Sequence, residues 1–376
     1  MNEADIIIRG GKVLDPCLQE ETVRDLAIQN GKIIKAEGVT AKEEIDASGC
    51  LVVPGLIDFH CHMGAGLSDL GIPGEAMGFP TGVTTAVDAG TYGTANYQGF
   101  RMKSLTSRLR VRAYLNVCPA GLITTAYHEN LDPAVYQKQK LLNLLAEYPD
   151  QLLGLKVRQS RELVGDLGLA PLDVTRAIAE EAHCPLVVHT TNPPAPVEEI
   201  ARRLRPGDVY AHVYQGRGET VIRDGHVIPE MKEHQKRGIL FDAANGNNHF
   251  SFKVARTCLE EGFLPDIIST DLTAKSLYHP GKVFSLPFIL SKYRALGMSW
   301  MDIFQRAITK PAEVLGCKKE LGSLIPSTCA DVAIFRPVPH KVLFQDTFGE
   351  SLEGKELLRT ELTMRAGTVV YRQIDF

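Results

Sequence analysis

Between residues 54 and 318, short apolar runs alternate with longer amphipathic segments. Eight of the short runs are typical of strands: LIDFHCH, TTAVDAG, RAYLNVC, LLGLKVR, PLVVHTT, DVYAHVY, GILFDAA and DIISTDL. The segments between them, such as AVYQKQKLLNLLAEY and PLDVTRAIAEEAH, carry apolar residues at helical spacing. Alternating strands and helices indicate a parallel sheet, and eight such units are typical of a closed barrel. The pattern therefore predicts an α/β fold with a (β/α)8 TIM barrel. An open doubly wound sheet is the alternative, although no GxGxxG follows the first strand.

The two ends of the chain carry a different pattern, that of short strands joined by tight turns. Residues 1–53 contain DIIIRGGKVL, DLAIQNGKIIKAEG and EEIDASGCLVV, and the Asn30-Gly31 pair favours a type I′ hairpin. Residues 319–376 return to strands in ADVAIFRP and ELTMRAGTVVYR. The simplest assembly joins residues 1–53 and 319–376 into one small β-sandwich domain that flanks a barrel of residues 54–318.

Composition narrows the class of partner. The hydrophobic and charged fractions, 44% and 23%, are ordinary for a soluble globular protein. A net charge of -4 without a dense Lys/Arg run argues against nucleic acid and favours a small-molecule partner. The start, MNEADIIIRGG, has acidic residues where a signal peptide needs basic ones, and its apolar run is too short for export. No stretch approaches the ~18 to 20 apolar residues that span a bilayer. The eight cysteines form no CxxC pair. We therefore expect a cytoplasmic protein without a membrane partner, and the pattern leaves open whether it forms a homo-oligomer.

Polar residues follow the predicted barrel strands at the ends where functional groups gather. In a (β/α)8 barrel the loops after the strands surround the mouth, so side chains at the carboxyl ends of strands face one site. Six residues occupy such positions: His60 and His62 on the first strand, Lys156 on the fourth, His189 on the fifth, His212 on the sixth and Asp271 on the eighth.

The histidines are candidate metal ligands. His60 and His62 are residues i and i+2 of a strand, so both point to one face while Cys61 points away. Two neutral imidazoles there suit a divalent metal such as zinc, with ligand distances near ~2.0 to 2.1 Å, or form an ordinary hydrogen-bonded pair. His189 and His212 each follow an apolar run, where a lone histidine is more often a core or loop residue. Their joint position with the HxH pair favours metal binding.

Asp271 and Lys156 are the two members of the set that need a partner when buried. A carboxylate at the end of the strand DIISTD requires a metal, or the amino end of the next helix, to offset its desolvation. A buried lysine with a lowered pKa becomes a neutral amine, which reacts with carbon dioxide to give a carbamate that can bridge two metals. A carboxylate-paired lysine and a Schiff-base lysine are the alternatives.

Taken in order, PGLIDFHCH, GLKVR, VVHTT, YAHVY and STD resemble the motifs of the amidohydrolase superfamily, in its branch with binuclear metal sites. The resemblance covers essentially the whole chain, including IIIRGGKVLDP and the ADVAIF tail. It implies a barrel flanked by a β-sandwich and two divalent metal ions, with zinc expected. The implied ligands are His60, His62 and Asp271 for the more buried ion, His189 and His212 for the more exposed one, and N6-carboxylated Lys156 as the bridge.

The resemblance also implies a mechanism. Two metals ~3.5 to 4 Å apart share a hydroxide, which attacks the scissile carbonyl while the exposed metal polarises it. Asp271 is then the catalytic residue: it accepts the proton of the nucleophile and passes it to the leaving group.

Within the superfamily, the chain resembles proteins described as dihydroorotase-like, some of which are deacetylases or esterases. Gly64 lies two residues beyond His62, where dihydroorotases and related cyclic amidases usually carry an arginine. We therefore predict a metal-dependent hydrolase that cleaves an amide or ester bond of a small anionic substrate, in the manner of a deacetylase. A cyclic amidase of dihydroorotase or hydantoinase type is the alternative.

Two further hypotheses about the function are less favoured. A mononuclear deaminase would carry a glutamate shortly after His189, whereas the chain reads HTTNPP. A non-catalytic barrel, retained as an assembly module, would have lost some of the six ligands.

Four other polar residues are candidate substrate contacts. Arg158 shares the inward side of its strand with Lys156 and either binds an anionic substrate or forms a salt bridge at the rim. Asn116, Tyr92 and Asn245 also lie near strand ends. Asn245 belongs to the segment FDAANGNNHFSF, residues 241–252. The corresponding segment of the proteins that it resembles has the pattern FDxGHGxxSFSF. Asn245 thus stands in place of a histidine and His249 in place of a serine, so a substrate contact of this loop has moved.

Overall fold

The first seven apolar runs predicted as barrel strands form one curled parallel sheet in the computed structural model, which describes residues 3–279 and 281–376. Neighbouring strands follow chain order from β8 to β13 and then β16. Their bounds are β8 (Leu56–Cys61), β9 (Val83–Ala89), β10 (Arg110–Asn116), β11 (Leu152–Arg158), β12 (Leu186–His189), β13 (Val209–Ala211) and β16 (Leu240–Asp242). A short hairpin, β14 (Ile222–Arg223) and β15 (His226–Val227), lies between β13 and β16.

The eighth run closes the barrel without forming a regular strand. Its residues make parallel bridges to both edges of the sheet, Ile267 with Asp242 and Leu272 with Cys61. The amide of Asp271 also donates to the carbonyl of His60 at 2.6 Å. Asp271 has a φ of 53°, a left-handed conformation that breaks the extended backbone. The (β/α)8 prediction is therefore confirmed, with an irregular eighth segment.

Helices connect the barrel strands. The bounds are α1 (Gly74–Gly78), α2 (Tyr97–Ser104), α3 (Lys138–Glu147), α4 (Arg161–Val164), α5 (Ala170–Glu181), α6 (Val197–Arg203), α7 (Pro229–Lys236), α8 (Phe252–Glu260), α9 (Leu286–Ala295), α10 (Trp300–Phe304) and α11 (Lys310–Val314). Helix α8 begins after Ser251, whose side chain accepts a hydrogen bond from the amide of Val254. Within the described ranges, no helix combines the length and hydropathy needed to cross a membrane.

The two chain ends form two facing sheets beside the barrel. The strands are β1 (Glu3–Arg9), β2 (Lys12–Asp15), β3 (Glu20–Val23), β4 (Leu26–Gln29), β5 (Lys32–Ile34), β6 (Thr40–Asp46), β7 (Leu51–Pro54), β17 (Val332–Gln345), β18 (Ser351–Arg365) and β19 (Thr368–Arg372). One sheet has the order β5-β4-β1-β6, and the other β19-β18-β17-β7-β2-β3. Ile8, Leu26, Val332 and Ile334 belong to the apolar cluster shared by the two sheets. Asn30 and Gly31 have φ values of 49° and 73°, as the predicted type I′ turn requires.

Strands β17 and β18 extend beyond this sandwich as a long hairpin that contacts the barrel. At its tip, the Asp346 carboxylate accepts a hydrogen bond from the amide of Phe252 at 3.1 Å. The amide of Thr347 donates to the carbonyl of Phe250 at 3.0 Å. The hairpin therefore supports the loop between β16 and α8, which faces the barrel mouth.

Candidate metal centre

The six predicted ligands meet at the carboxyl ends of the barrel strands. Five of them, His60, His62, Lys156, His189 and Asp271, line a cavity of about 260 Å³. The sixth, His212, is fully buried, and its ring centroid lies 4.3 Å from that of His189 and 5.2 Å from that of His60. The strand-end prediction thus brings together residues that span more than 200 positions of sequence.

Two groups of side chains are arranged so that one metal ion could bind to each. In the first group, His60, His62 and Asp271, the candidate donor atoms all lie within 4.8 Å of one another. The second group contains His189, His212 and His249 and meets the same limit. The first group is buried throughout, whereas His249 in the second is half-buried.

Hydrogen bonds fix the orientation of three of the imidazoles. Each uses Nδ1, and the partners are Asp242 Oδ2 (3.0 Å from His60), Thr91 Oγ1 (2.9 Å from His62) and Ala244 O (2.7 Å from His212). The Thr91 hydroxyl itself donates to Asp88 at 2.6 Å, so it accepts from His62. Carboxylates and carbonyls only accept, so the hydrogen lies on Nδ1 and the Nε2 lone pair points into the site.

The electrostatics of the site suit a cation. Burial lowers the pKa of His60, His189 and His212 well below 6.5, so these imidazoles are neutral at neutral pH, the form that binds metal. Nε2 of His212 has no hydrogen-bond partner among the described residues. Because the hydrogen of His62 lies on Nδ1, its Nε2 is an acceptor. This Nε2 lies 3.1 Å from Oδ1 of Asp271, which is also an acceptor. A positive charge between two such acceptors makes the contact favourable, and mixed imidazole and carboxylate donors fit a divalent metal such as zinc.

Lys156 lies beside His60 of the first group, in an environment that disfavours its charge. Its side chain is 2% exposed, and its Nζ lies 3.4 Å from Nε2 of His60. Desolvation lowers the pKa of Lys156 from 10.5 to about 8. The neutral amine that the carbamate hypothesis requires is therefore more populated near neutral pH than in an exposed lysine.

Of the predicted substrate contacts, Arg158 lines the cavity. Its Nη1 donates to Oε2 of Glu129 at 2.9 Å, so the salt bridge considered as an alternative is also present. Asn116 does not line the cavity: its Nδ2 donates to Oε1 of Glu129 at 2.8 Å. Asn116 thus holds the partner of Arg158, and its direct contact with substrate stays a prediction.

Tyr92 and Asn245 also lie outside the cavity lining. The hydroxyl of Tyr92 donates to the carbonyl of Met63 at 2.8 Å, and its ring stacks on Phe100. Nδ2 of Asn245 donates to the carbonyl of Ser269 at 3.0 Å, and the side chain is fully buried. The Tyr92 hydroxyl and Nδ2 of Asn245 thus bond to backbone, and direct contact of these two residues with substrate stays a prediction.

His249 lines the cavity, although the sequence interpretation noted it only as a departure from its relatives. Its Nδ1 lies 2.7 Å from Oγ1 of Thr191, and its Nε2 lies 3.6 Å from Oδ2 of Asp271. The signal for its importance was the histidine in place of a serine, but only the fold of the loop shows that it points towards the barrel mouth.

Gly64 bears on the kind of substrate. A Cβ built at this position would overlap the Tyr92 hydroxyl and crowd Phe100. An arginine two residues beyond His62 therefore cannot be accommodated unless Tyr92 moves.

Residues 51–360 match the family model described as "Amidohydrolase family". The chain belongs to the amidohydrolase family. It is similar to a deacetylase of Agrobacterium fabrum, with 33% identity over 318 residues that cover 84% of this chain and 77% of that protein. Members of the family generally use divalent metals, and the donor groups described above fit this chemistry.

Two solved structures resemble this amidohydrolase over nearly its whole length. The crystal structure of an adenine deaminase has a TM-score of 0.90 and 28% identity, covering 98% of this chain and 100% of that one. The crystal structure of a dihydroorotase has a TM-score of 0.87 and 29% identity, covering 98% of each chain. The amidohydrolase is therefore a hydrolase that acts on carbon–nitrogen bonds of small molecules.

Replacement of Asp242 in this amidohydrolase is expected to weaken metal binding without unfolding the barrel. Asp242→Asn removes the carboxylate that fixes the Nδ1 hydrogen of His60. Loss of such an outer partner typically lowers metal affinity by about 10- to 100-fold. Competition with a chromophoric chelator measures the change. Asp266→Asn is the matched control, because Asp266 accepts from the amide of Phe241, a neighbour on the same strand as Asp242. Equal affinities in the two variants would contradict the orienting role of Asp242.

Proposed function

We propose that this amidohydrolase is a metal-dependent deacetylase that cleaves an amide or ester bond of a small anionic substrate. The observation that carries the proposal is the pairing of two metal-donor groups with Arg158 at the same cavity. The similarity to a deacetylase supports the acyl-transfer chemistry, and the crowding at Gly64 argues against a cyclic amidase that holds its substrate with an arginine there.

The ligand roles follow the two donor groups. His60, His62 and Asp271 would hold the more buried ion, and His189 and His212 the more exposed one. When bound, two divalent ions, with zinc expected, would lower the pKa of a water molecule and polarise the scissile carbonyl.

Lys156 would bridge the two groups as a carbamate. Its neutral Nζ forms a bond to the carbon of carbon dioxide, the electron pair of one C=O bond moves to oxygen, and the nitrogen releases a proton. The product carries one negative charge on two oxygens, which replaces a cation beside the metals with a bidentate anion. Its burial and lowered pKa support this step.

Asp271 would transfer the proton of the reaction. Its Oδ1 faces His62, while Oδ2 is the oxygen nearer to His249. Oδ2 would accept a proton from the nucleophilic water and return it to the departing amine or alcohol, since a carboxylate within reach of both can act first as base and then as acid.

Arg158 would bind the anionic group of the substrate. Its guanidinium has five N–H donors, and Nη1 is committed to Glu129, so others can meet a carboxylate. Asn116 donates a hydrogen bond to Glu129 and thereby helps to fix the direction of the Arg158 guanidinium. Lys275 also lines the cavity and adds positive charge.

Arg158→Met is expected to raise KM for an anionic substrate by about 10- to 100-fold, because a hydrogen bond to a charged group contributes roughly 1.5–3 kcal/mol. A neutral ester of the same substrate should show little change in KM. Arg176→Met is the matched control, since Arg176 also pairs with a glutamate, Glu180, but on the surface of α5. An equal rise in KM for the charged and neutral substrates would refute the anion-binding role.

A substrate screen tests the proposed reaction class. Metal-loaded enzyme is assayed against N-acetyl amino acids, O-acetyl hydroxy acids, dihydroorotate, hydantoins and adenine. We expect release of acetate from one of the first two groups. Preferential ring opening of a cyclic amide would support the dihydroorotase or hydantoinase alternative, and release of ammonia from adenine would support a deaminase. Either result would overturn the deacetylase proposal.

A further inference from the structure

The loop between β16 and α8 brings a fifth histidine to the metal centre. The ring centroid of His249 lies 4.9 Å from that of His189 and 4.3 Å from that of His212. The candidate donor atoms of these three histidines lie within 4.8 Å of one another. This spacing allows three imidazoles to reach one ion.

The orientation of His249 matches that of the other histidines. Its Nδ1 contacts the Thr191 hydroxyl at 2.7 Å, and its Nε2 faces Oδ2 of Asp271 at 3.6 Å. The ring nitrogen that makes the orienting contact is Nδ1, as in His60, His62 and His212. This arrangement leaves Nε2 on the side of the cavity.

The backbone of the loop is shaped around this side chain. Gly246 has a φ of 54°, and a Cβ built there would overlap Oδ2 of Asp271 and crowd Cδ2 of His249. On the far side, Thr347 of the β17–β18 hairpin donates through Oγ1 to the carbonyl of Asn247 at 3.2 Å and through its amide to Phe250. Packing on both sides of the loop therefore holds His249 against the donor groups.

We propose that His249 is a third imidazole ligand of the metal ion held by His189 and His212. The inference rests on the binuclear centre proposed above and deepens it. Three neutral imidazoles form a recognised donor set for catalytic zinc. The second ion would then depend less on the Lys156 carbamate than it would with two histidines alone. The family pattern that this loop resembles has a serine at this position. Serine has a shorter side chain, so this ligand would distinguish the present chain.

Metal titration of His249→Ser tests the proposal. Wild-type enzyme and variant are stripped, then titrated with Zn²⁺ against a chromophoric chelator and with Co²⁺ while the visible absorption is recorded. We expect the variant to bind its first ion as the wild type does. Its second ion should bind at least about 100-fold more weakly, because removing even an outer partner of a ligand costs about 10- to 100-fold. The Co²⁺ absorption of the second equivalent should change with it.

Controls separate the possible causes. His226→Ser removes an exposed histidine paired with Glu261 and should bind both ions normally. His249→Asn provides a second variant if the serine variant does not fold, and Thr191→Val, which removes the Nδ1 contact, should give a smaller loss of affinity.

Two outcomes count against different claims. If wild-type enzyme binds fewer than two ions, the binuclear centre itself is wrong. If wild type binds two, and both His249 variants bind two with unchanged affinity and an unchanged Co²⁺ spectrum, the ligand role is overturned. A fall in kcat with that unchanged binding would make His249 a positioning residue for Asp271.

Discussion

Lys156→Ala is expected to lose bound metal and activity together. The side chain is buried beside His60, and as a carbamate it would supply the anionic bridge that both ions share. Without the bridge, the two ions repel each other across a site that carries only one carboxylate, Asp271, among its donors. We expect fewer than two tightly bound ions per chain and a loss of activity of more than about 1,000-fold, because the metals supply the nucleophile at neutral pH. Elemental analysis of the dialysed variant and an acetate-release assay measure the two effects.

A second buried lysine provides the control for this variant. Lys292 is fully buried on α9, with its Nζ 3.8 Å from the ring centroid of Phe250 rather than beside the donor groups. Burial lowers its pKa to about 7, so it shares the unusual environment of Lys156. Lys292→Met should therefore keep both ions. Retention of two tightly bound ions by Lys156→Ala would refute the carbamate bridge.

Asp271→Asn is expected to lower kcat by about 100- to 10,000-fold, the range that a positioned acid–base group contributes. Asparagine keeps the size of the side chain and an oxygen that can bind metal, but it cannot accept and return a proton. We expect a larger change in kcat than in metal content, and the two are measured on the same preparation.

Asp302→Asn is a suitable control for the Asp271 variant. Asp302 lies at the start of α10, where it bonds Ser299 on the surface, so the change should leave kcat and metal content unaltered. A kcat of Asp271→Asn within about 10-fold of wild type would contradict the proton-transfer role.

Local patterns were sufficient to predict the barrel and to bring the six candidate ligands to one place. LLGLKVR coincides with β11, Leu152–Arg158, because its apolar residues are buried on both sides of a parallel strand. The spacing of His60 and His62 predicted that both would face one point, since side chains of a strand alternate. The strand-end rule added the other four candidate ligands without any knowledge of contacts, because barrel closure alone brings strand ends together.

The substrate contacts could not be predicted in the same way, because they depend on partners distant in sequence. Asn116 turns to Glu129, which lies in the following loop and in turn meets Arg158. Tyr92 turns to the carbonyl of Met63. A polar residue at a strand end therefore indicates proximity to the mouth, but the direction of its side chain is decided by the loops.

The role of the terminal hairpin was equally hidden. Residues 319–376 were predicted to pair with the amino-terminal strands, and β17 does pair with β7. The extension of β17 and β18 that reaches Phe250 and Phe252 arises from tertiary packing against the barrel. Its contacts with the loop that carries His249 connect the outer domain to the metal centre.

The metal-to-chain ratio of purified wild-type enzyme tests the binuclear centre most directly. Protein is expressed with added zinc, separated from loosely bound ions by gel filtration, and analysed for metal and for protein concentration. The six proposed ligands, with Lys156 as the bridge, predict a ratio close to two divalent ions per chain. A ratio of one would favour a mononuclear centre, and protein that neither contains nor takes up metal would contradict a metal-dependent reaction.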